Sequence, residues 1–215
     1  MQATVQCDRV DADAEEPPGP GLARLVHPIR EHLEHRGPHR HTHRPFEPSL
    51  PPAPDRRFYQ AVCAPFPQEP TRDRLAVVAS EAVGEGLMAL TACAPGDVVF
   101  TFAGSILPYQ TLFTLQIAPG RYIEDPLVMG KVLHSCDPNM VCSMGQLTFW
   151  AIKPIRAGEY LYMDYESTED ELYRHFDCCC GAPGCRGRIR GRRYLTAAER
   201  AAILDPGCLT HVRPR

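Results

Sequence analysis

Seven residues in the middle of the chain read Leu133-His134-Ser135-Cys136-Asp137-Pro138-Asn139, and they define the architecture together with two later segments. The second segment reads Gly158-Glu159-Tyr160-Leu161-Tyr162-Met163-Asp164-Tyr165. The third reads Cys178-Cys179-Cys180-Gly181-Ala182-Pro183-Gly184-Cys185-Arg186-Gly187. Structural zinc takes four ligands in a tetrahedron. The Cys-x-Cys-x4-Cys spacing of the third segment therefore favours a metal site and leaves one ligand to come from elsewhere.

In this order, the three segments resemble those of the SET-domain protein-lysine methyltransferases that carry a post-SET zinc segment. The resemblance extends over residues 75–187 of the 215. It implies an α+β, mostly β fold, in which short strands and sheets surround a pseudoknot and a C-terminal post-SET zinc loop follows. It also implies an enzyme that transfers a methyl group from S-adenosylmethionine to a lysine amine of a protein substrate.

The resemblance takes the fourth metal ligand from the His-Ser-Cys segment, so the implied Zn²⁺ site is Cys136, Cys178, Cys180 and Cys185. Such a metal would tie the C-terminal segment over the active site. Cys179 is an extra thiol, and alternation along an extended loop favours its two neighbours on a common side. The alternative interpretation is a cluster of free thiols.

Tyr165 stands where the family has the catalytic tyrosine of its Glu-Leu-x-x-Asp-Tyr segment; taken alone, it also fits a strand-end aromatic residue of the core. Met163 stands two residues earlier, where the family has a phenylalanine or tyrosine that limits the number of methyl groups. Methionine is flexible and has no hydroxyl, so we expect di- or trimethylation not to be blocked. Tyr122 is a second candidate for the substrate channel, with a core strand position as the alternative.

The candidate cofactor residues come from two places in the sequence. One resembles the family's Gly-x-Gly segment, whose backbone contacts S-adenosylmethionine, and the other forms one wall of the cofactor pocket. They are Gly84, Glu85, Gly86, Leu87, Leu133, His134 and Asn139. His134 and Asn139 are carried over as cofactor-side and loop-fixing residues, and a buried, hydrogen-bonded position is compatible with that role.

Three departures from the family pattern affect activity more than fold. Leu133 replaces an asparagine that helps to bind the cofactor, so one side-chain hydrogen bond is lost. Lys131 and Val132 replace an Arg-Phe pair, and residues 102–105 lack the glutamate of the family's Tyr-x-Gly-Glu segment. The alternative function is therefore a catalytically weak SET module that acts as a zinc-stabilised protein-binding domain.

Composition, together with the positions of prolines and glycines, divides the chain into four predicted regions. Residues 1–74 are rich in proline, histidine and arginine and are expected to be largely disordered, with Phe58 and Tyr59 as a docking point. Residues 75–170 form the SET domain, residues 171–193 the post-SET zinc segment, and residues 194–215 a C-terminal helix and tail. A histidine-rich tract at 32–43 is interpreted either as a weak metal or pH-sensitive contact or as a solvated stretch.

The local pattern also predicts individual elements. Strands are expected at 75–78, 98–102, 147–152 and 160–163, turns at 84–86 and 95–97, and helices at 167–175 and from 196 to about 204.

The formal net charge of −3 gives the whole chain no electrostatic attraction to nucleic acid or membrane. No run of 18 apolar residues is present, which predicts no membrane span. The acidic N-terminal residues argue against a secretory signal, and ten cysteines without such a signal indicate a reducing intracellular compartment, either nucleus or cytoplasm. The arginine run Arg186–Arg193 is either a contact for an acidic partner or nucleic acid, or a solvated tail.

Overall fold

The computed structural model describes the backbone of residues 24–26 together with residues 56–81 and 84–203. Within these ranges the chain forms 13 short strands and one short α-helix. The elements are β1 (Arg24–Val26), β2 (Leu75–Ser80), β3 (Gly84–Ala89), β4 (Val98–Thr101), β5 (Gly104–Leu107), β6 (Thr114–Ala118), β7 (Arg121–Glu124), β8 (Leu133–His134), β9 (Met140–Ser143), β10 (Thr148–Ala151), β11 (Tyr162–Met163), β12 (Phe176–Asp177), β13 (Arg188–Ile189) and α1 (Ala197–Ala202). Single 3-10 turns occupy Met129–Lys131, Tyr165–Ser167 and Arg192–Tyr194.

The strands form small sheets around one apolar core. The largest sheet has the order β1-β5-β7-β6, and a second has the order β4-β10-β9, all antiparallel. Aromatic and β-branched residues favour pleated strands whose inner faces are buried. Phe149 of β10 lies in the core, where its ring centroid is 4.7 Å from that of Phe100 and 5.6 Å from that of Phe102.

A parallel pair of two-residue strands, β8 and β11, positions the site. The backbone N–H of Leu133 donates to the carbonyl of Leu161 at 3.0 Å, and the N–H of Ser135 donates to the carbonyl of Met163 at 3.0 Å. Parallel strands need a long connection. The pairing brings the segments 133–139 and 160–165 side by side, and the stretch of residues between them supplies that connection.

Most of the predicted strands and the last helix are confirmed. β2, β4, β10 and β11 fall within two residues of the predicted positions or extend beyond them, and Gly96 adopts a φ of 91° in the predicted turn at 95–97. The predicted capping box is present. The Thr196 side chain accepts from the backbone N–H of Glu199, and the Glu199 side chain accepts from the backbone N–H of Thr196. α1 ends at Ala202, and residue 204 lies outside the described part.

Two local predictions are wrong. Residues 84–86 are the first residues of β3, which pairs antiparallel with β2, and Gly84 has a φ of 70°. The expected helix at 167–175 is absent from the described residues. Its backbone pairs with the C-terminal segment instead, because Arg192 N–H donates to the Glu169 carbonyl and Leu172 N–H to that of Arg190. The Glu169 carbonyl and the Leu172 N–H are therefore used in bonds to the C-terminal segment and not in a helical ladder.

Residues 56–74 pack against the strands that follow. The hydroxyl of Tyr59 donates to Asp125 at 2.5 Å, and Asp125 also accepts from the backbone of Leu127 and Met129. The guanidinium of Arg57 is paired with Glu69 at 2.8 Å in a buried position. The remainder of the predicted 1–74 region, including the histidine tract, lies outside the described residues apart from β1, and the predicted region boundaries stay predictions.

Candidate active site and metal centre

The pairing of β8 with β11 places Tyr165 against His134. The backbone N–H of Tyr165 donates to Nδ1 of His134 at 3.3 Å, and the two ring centroids are 5.2 Å apart. The Tyr165 hydroxyl donates to the carbonyl of Val132 at 2.7 Å, and the residue is only 3% exposed. Burial raises the pKa of Tyr165 well above its ordinary value, so the phenol is neutral at physiological pH.

Four cysteines predicted to bind zinc are brought together. The Sγ atoms of Cys136, Cys178, Cys180 and Cys185 all lie within 4.8 Å of one another, and those of Cys136 and Cys178 are 4.0 Å apart. A tetrahedron with Zn–S bonds near 2.3 Å has sulfur atoms about 3.8 Å apart. The four donors therefore fit a structural zinc ion. Cys179 is not one of the four.

The sulfur of Cys136 lies among hydrogen-bond donors. The backbone N–H of Arg186 donates to it at 3.4 Å, and Nε2 of His134 lies 3.5 Å from it. Because Nδ1 of His134 accepts from Tyr165, the imidazole proton belongs on Nε2, facing this sulfur. The contact with the Cys178 thiol, and then that with His134, lower the pKa of Cys136 against the opposing effect of burial. A thiolate is the form that binds a metal.

Arg186 forms a buried network that sequence reasoning missed. Its Nη2 donates to Asp164 at 2.6 Å and its Nε donates to Glu166 at 2.8 Å. The other oxygen of Glu166 accepts from the backbone of Arg190 and Gly191 at 3.1 and 3.0 Å. In the sequence Arg186 was only one member of a basic run. The available signal was that its partners flank the candidate catalytic tyrosine in Asp-Tyr-Glu.

Most other arginines of the basic run are ion-paired with acids of this chain. Arg188 pairs with Asp177 at 3.1 Å, and Arg192 pairs with Asp170 at 2.8 Å. Arg193 pairs with Glu171 at 2.6 Å, and the guanidinium of Arg190 lies 4.7 Å from the centre of the Tyr194 ring. Much of the positive charge of this run is therefore balanced within the fold.

The predicted cofactor residues on β3 lie beside β8. A Cβ atom on Gly86 would be 2.9 Å from both the Leu133 side chain and the Tyr160 ring, so only glycine fits between them. Leu87 is fully buried, and its carbonyl accepts from the Leu161 backbone at 2.8 Å. The structure thus brings residues 84–87 and Leu133 to one place, where the side chain of Leu133 presents an apolar surface.

The first turn-side residues of β3 include Glu85, which forms an ion pair with Lys131. Nζ of Lys131 donates to Glu85 at 2.5 Å and lies 4.5 Å from the centre of the Phe113 ring. The bond with Lys131 lowers the pKa of Glu85. Lys131 is the residue that replaces the arginine of the family's Arg-Phe pair.

Asn139 holds the loop after β8 in place. Its Nδ2 donates to the carbonyl of Tyr160 at 2.9 Å, and its Oδ1 accepts from the backbone of Tyr162 at 2.8 Å. Both ends of the amide are therefore used to join the 133–139 segment to β11. This geometry suits the predicted loop-fixing role, and its predicted contact with a cofactor stays a prediction.

The comparison with known families agrees with this arrangement. Residues 84–166 match the model of the SET domain. By this match, residues 84–166 form a SET domain. The matched residues include the paired strands β8 and β11, Cys136 and Tyr165, and they end before the three clustered cysteines at 178–185. The mostly β SET fold predicted from the sequence is confirmed, and the zinc segment that follows it is supported by the sulfur cluster alone.

Two curated relatives are similar in sequence to part of this chain. "Methyltransferase flvH" of Aspergillus flavus is 30% identical over 93 residues, which are 42% of this chain and 52% of the relative. "Histone-lysine N-methyltransferase Su(var)3-9" of Drosophila melanogaster is 27% identical over 143 residues, covering 48% of this chain and 22% of the relative. The chain thus spans about half or less of the length of these relatives. A crystal structure of KRYPTONITE in complex with mCHG DNA and SAH aligns with a TM-score of 0.45 and 21% identity, over 53% of this chain and 28% of that chain.

The two predicted channel residues occupy different parts of the SET domain. Met163 is buried in β11, where it is paired with His134 of β8. Tyr122 lies in β7, and burial followed by the nearby charges of Glu169 and Asp170 raises its pKa. Met163 is thus adjacent to the candidate catalytic residues, whereas Tyr122 is grouped with acidic side chains.

Glu169 is a second buried charge that sequence reasoning missed. One carboxylate oxygen accepts from the backbone of Gln116 in the edge strand β6 at 2.6 Å, and the other accepts from Nε2 of Gln110 at 3.2 Å. Burial raises the pKa of Glu169 to about 7. The Gln116 amide in turn bonds the backbone and side chain of Asp170 at 2.8 and 2.7 Å. Side chains thus bridge β6 and the segment after Tyr165.

In the described part of the chain, no helix has the length and apolar character needed to cross a bilayer.

Proposed function

We propose that the chain is an S-adenosylmethionine-dependent protein-lysine N-methyltransferase with Tyr165 as its catalytic tyrosine. The observation that carries the proposal is the parallel pairing of β8 with β11, which holds a buried, neutral Tyr165 against His134, while Leu133 of β8 lies beside Gly86 of the candidate cofactor strand β3. The names of the two relatives, one a methyltransferase and one a histone-lysine methyltransferase, support the same reaction class.

The chemistry requires a neutral lysine amine at the tyrosine. A free lysine has a pKa near 10.4, so deprotonating it at pH 7 costs about 4.6 kcal/mol. A dry channel lowers that cost, because removal from water disfavours the charged ammonium. Val132, Met163 and Tyr165 are all buried and would supply such surroundings.

The hydroxyl of Tyr165 is oriented for this task. Its hydroxyl donates to the carbonyl of Val132, and a phenol oxygen is also a hydrogen-bond acceptor of the kind that a substrate amine needs. S-adenosylmethionine, when bound, supplies the electrophilic methyl group. The chain's own part is to position the amine and exclude water, and positioning alone is worth several orders of magnitude in rate.

We assign donor binding to residues 84–87 and to Leu133, His134 and Asn139, and zinc binding to the four clustered cysteines. Zinc with four protein thiolates has no open position, so its role here is structural. It would fasten the loop between β12 and β13 to the segment after β8. The protein substrate carries the target lysine, and an acidic partner or nucleic acid at Arg186–Arg193 is secondary because most of these arginines have internal partners.

Leu133 favours a second function, a catalytically weak SET module that binds a partner protein. An asparagine at this position would offer the donor a hydrogen bond, and its absence costs about 1–3 kcal/mol when the partner group stays buried. The Leu133 side chain instead lies beside Gly86, which the Tyr160 ring also approaches. The retained tyrosine geometry and the sulfur cluster support the first function.

The test is methyl transfer detected by mass spectrometry. The full chain, purified without chelator, is incubated with isotopically labelled S-adenosylmethionine and a panel of lysine-containing proteins that includes histones. We expect label on lysine, its loss in Tyr165→Phe, and its retention in the matched control Tyr194→Phe, whose ring lies at the surface. A chain that binds the donor but labels no lysine in any protein offered would overturn the enzyme proposal in favour of the binding module.

The same spectra test the role of Met163. We expect di- or trimethylated product at saturating donor, because methionine offers no hydroxyl to restrict the channel. A product profile containing only monomethyl-lysine would contradict this assignment.

A further inference from the structure

We infer that Arg186 is a positioning residue for Tyr165 and that it connects the cysteine cluster to the catalytic tyrosine. The inference rests on the proposed function. The side chain of Arg186 is only 13% exposed, and its two arms bind the residues on either side of the tyrosine, Asp164 and Glu166. A guanidinium held by two carboxylates in this way has a fixed orientation, because its donors form a rigid planar fork.

The same residue is also bonded to the cluster. Arg186 directly follows Cys185, and its backbone N–H donates to Sγ of Cys136 at 3.4 Å. Arg186 therefore touches the cluster through its main chain and the tyrosine segment through its side chain. A movement of the cysteine loop would therefore shift Arg186, and with it the hydrogen bonds to Asp164 and Glu166.

A second connection leads to the same sulfur. His134 accepts from the backbone N–H of Tyr165 through Nδ1, and its Nε2 faces Sγ of Cys136. The backbone of the tyrosine is thus fixed at its own N–H by His134 and at both neighbours by Arg186. Both supports meet at Cys136, which makes the order of the metal loop a condition for the placement of the phenol.

Charge explains why a smaller or neutral side chain cannot replace Arg186. Asp164 and Glu166 are almost completely buried, and burial raises the pKa of Asp164 while the charge of Arg186 opposes that rise. Without the guanidinium, two carboxylates would face each other in a poorly solvated place, which destabilises the segment that holds the tyrosine. Lysine would keep the charge but can offer only a point donor.

The experiment compares Arg186→Lys and Arg186→Gln with the matched control Arg156→Gln, which removes a surface arginine paired with Glu159. Five quantities are measured on the full chain: bound zinc, the Kd for S-adenosylmethionine, the kcat and KM for a protein substrate that the enzyme methylates, and hydrogen exchange of residues 84–89 and 164–167. We expect kcat to fall by about 100-fold in both Arg186 variants, because a small misplacement of a reacting group costs this much. Bound zinc, the donor Kd and KM should be unchanged, and the control should match the wild type throughout.

Hydrogen exchange separates failure of this inference from failure of the proposed function. If the wild type methylates nothing, faster exchange at 164–167 in the Arg186 variants, with unchanged exchange at 84–89, still supports the positioning role. Unchanged exchange at 164–167, or an unchanged kcat in an active enzyme, overturns it. The inference is also overturned if zinc binding or donor binding falls in proportion to activity, because Arg186 would then stabilise the whole fold and not position Tyr165. Arg186→Lys keeps the test decisive if the glutamine variant does not fold.

Discussion

Replacing Glu169 with glutamine should change how stability depends on pH. The Glu169 carboxyl is 5% exposed, and burial raises its pKa from an ordinary 4.5 to about 7. A carboxyl whose pKa is higher in the folded protein keeps its proton longer there than in the unfolded chain. The free energy of unfolding therefore falls as the pH rises from about 4.5 to about 7, and the full loss is present above that.

The magnitude follows from the two pKa values. Their difference, at about 1.36 kcal/mol per pH unit, corresponds to about 3 kcal/mol of stability lost from this residue between pH 4.5 and 8. Asp170 is the neighbouring acid, and because Arg192 lowers its pKa it stays ionised across this range. Gln116 and Gln110 face the carboxyl but do not titrate, so Glu169 alone accounts for the effect.

The assay is urea unfolding of the wild type and Glu169→Gln at pH 5 and pH 8. Glutamine keeps an acceptor for the Gln116 backbone and resembles the protonated acid. We expect the free energy of unfolding of the variant, relative to wild type, to be about 2.5 kcal/mol higher at pH 8 than at pH 5, because part of the loss is already present at pH 5. The surface variant Glu159→Gln serves as control and should show no such change. Parallel pH profiles for wild type and Glu169→Gln would refute the reasoning.

Three further perturbations have expected outcomes. Asn139→Ala removes the amide that bonds Tyr160 and Tyr162, so urea unfolding should show a loss of about 2 kcal/mol, and an unchanged midpoint would contradict the loop-fixing role. Tyr59→Phe leaves Asp125 without one donor and should cost about 2 kcal/mol in the same assay; a cost near zero would mean that residues 56–74 are not anchored there. Metal removal by a chelator should increase hydrogen exchange in β12 and β13, with recovery on adding zinc but not magnesium, and unchanged exchange would argue for free thiols.

Chemistry-bearing residues could be predicted from the sequence because their types and spacing are restrictive. Three thiols at metal spacing were expected to converge with Cys136, which the family resemblance supplied, and Cys136 does meet Cys178, Cys180 and Cys185. The family resemblance implied that Tyr165 and His134 are both site residues, and their direct contact was seen only in the fold. Both depend on side chains with few other uses, so local sequence carries the information.

Features that depend on distant partners could not be predicted. Residues 167–175 carry a helix-start pattern, but Glu169 and Leu172 form hydrogen bonds with other segments, and these tertiary bonds override a weak local preference. Arg186 looked like one charge in a basic run because its two carboxylate partners lie about 20 residues earlier. Burial of such charges is decided by the fold.

The most direct test of the central proposal is calorimetric titration of S-adenosylmethionine into the full chain, with zinc counted in the same sample. The proposed methyltransferase predicts one zinc ion per chain and donor binding with a Kd on the order of micromolar, competed by S-adenosylhomocysteine. Zinc in that amount without any detectable binding of the donor would contradict the account and leave the chain as a SET module that binds partners.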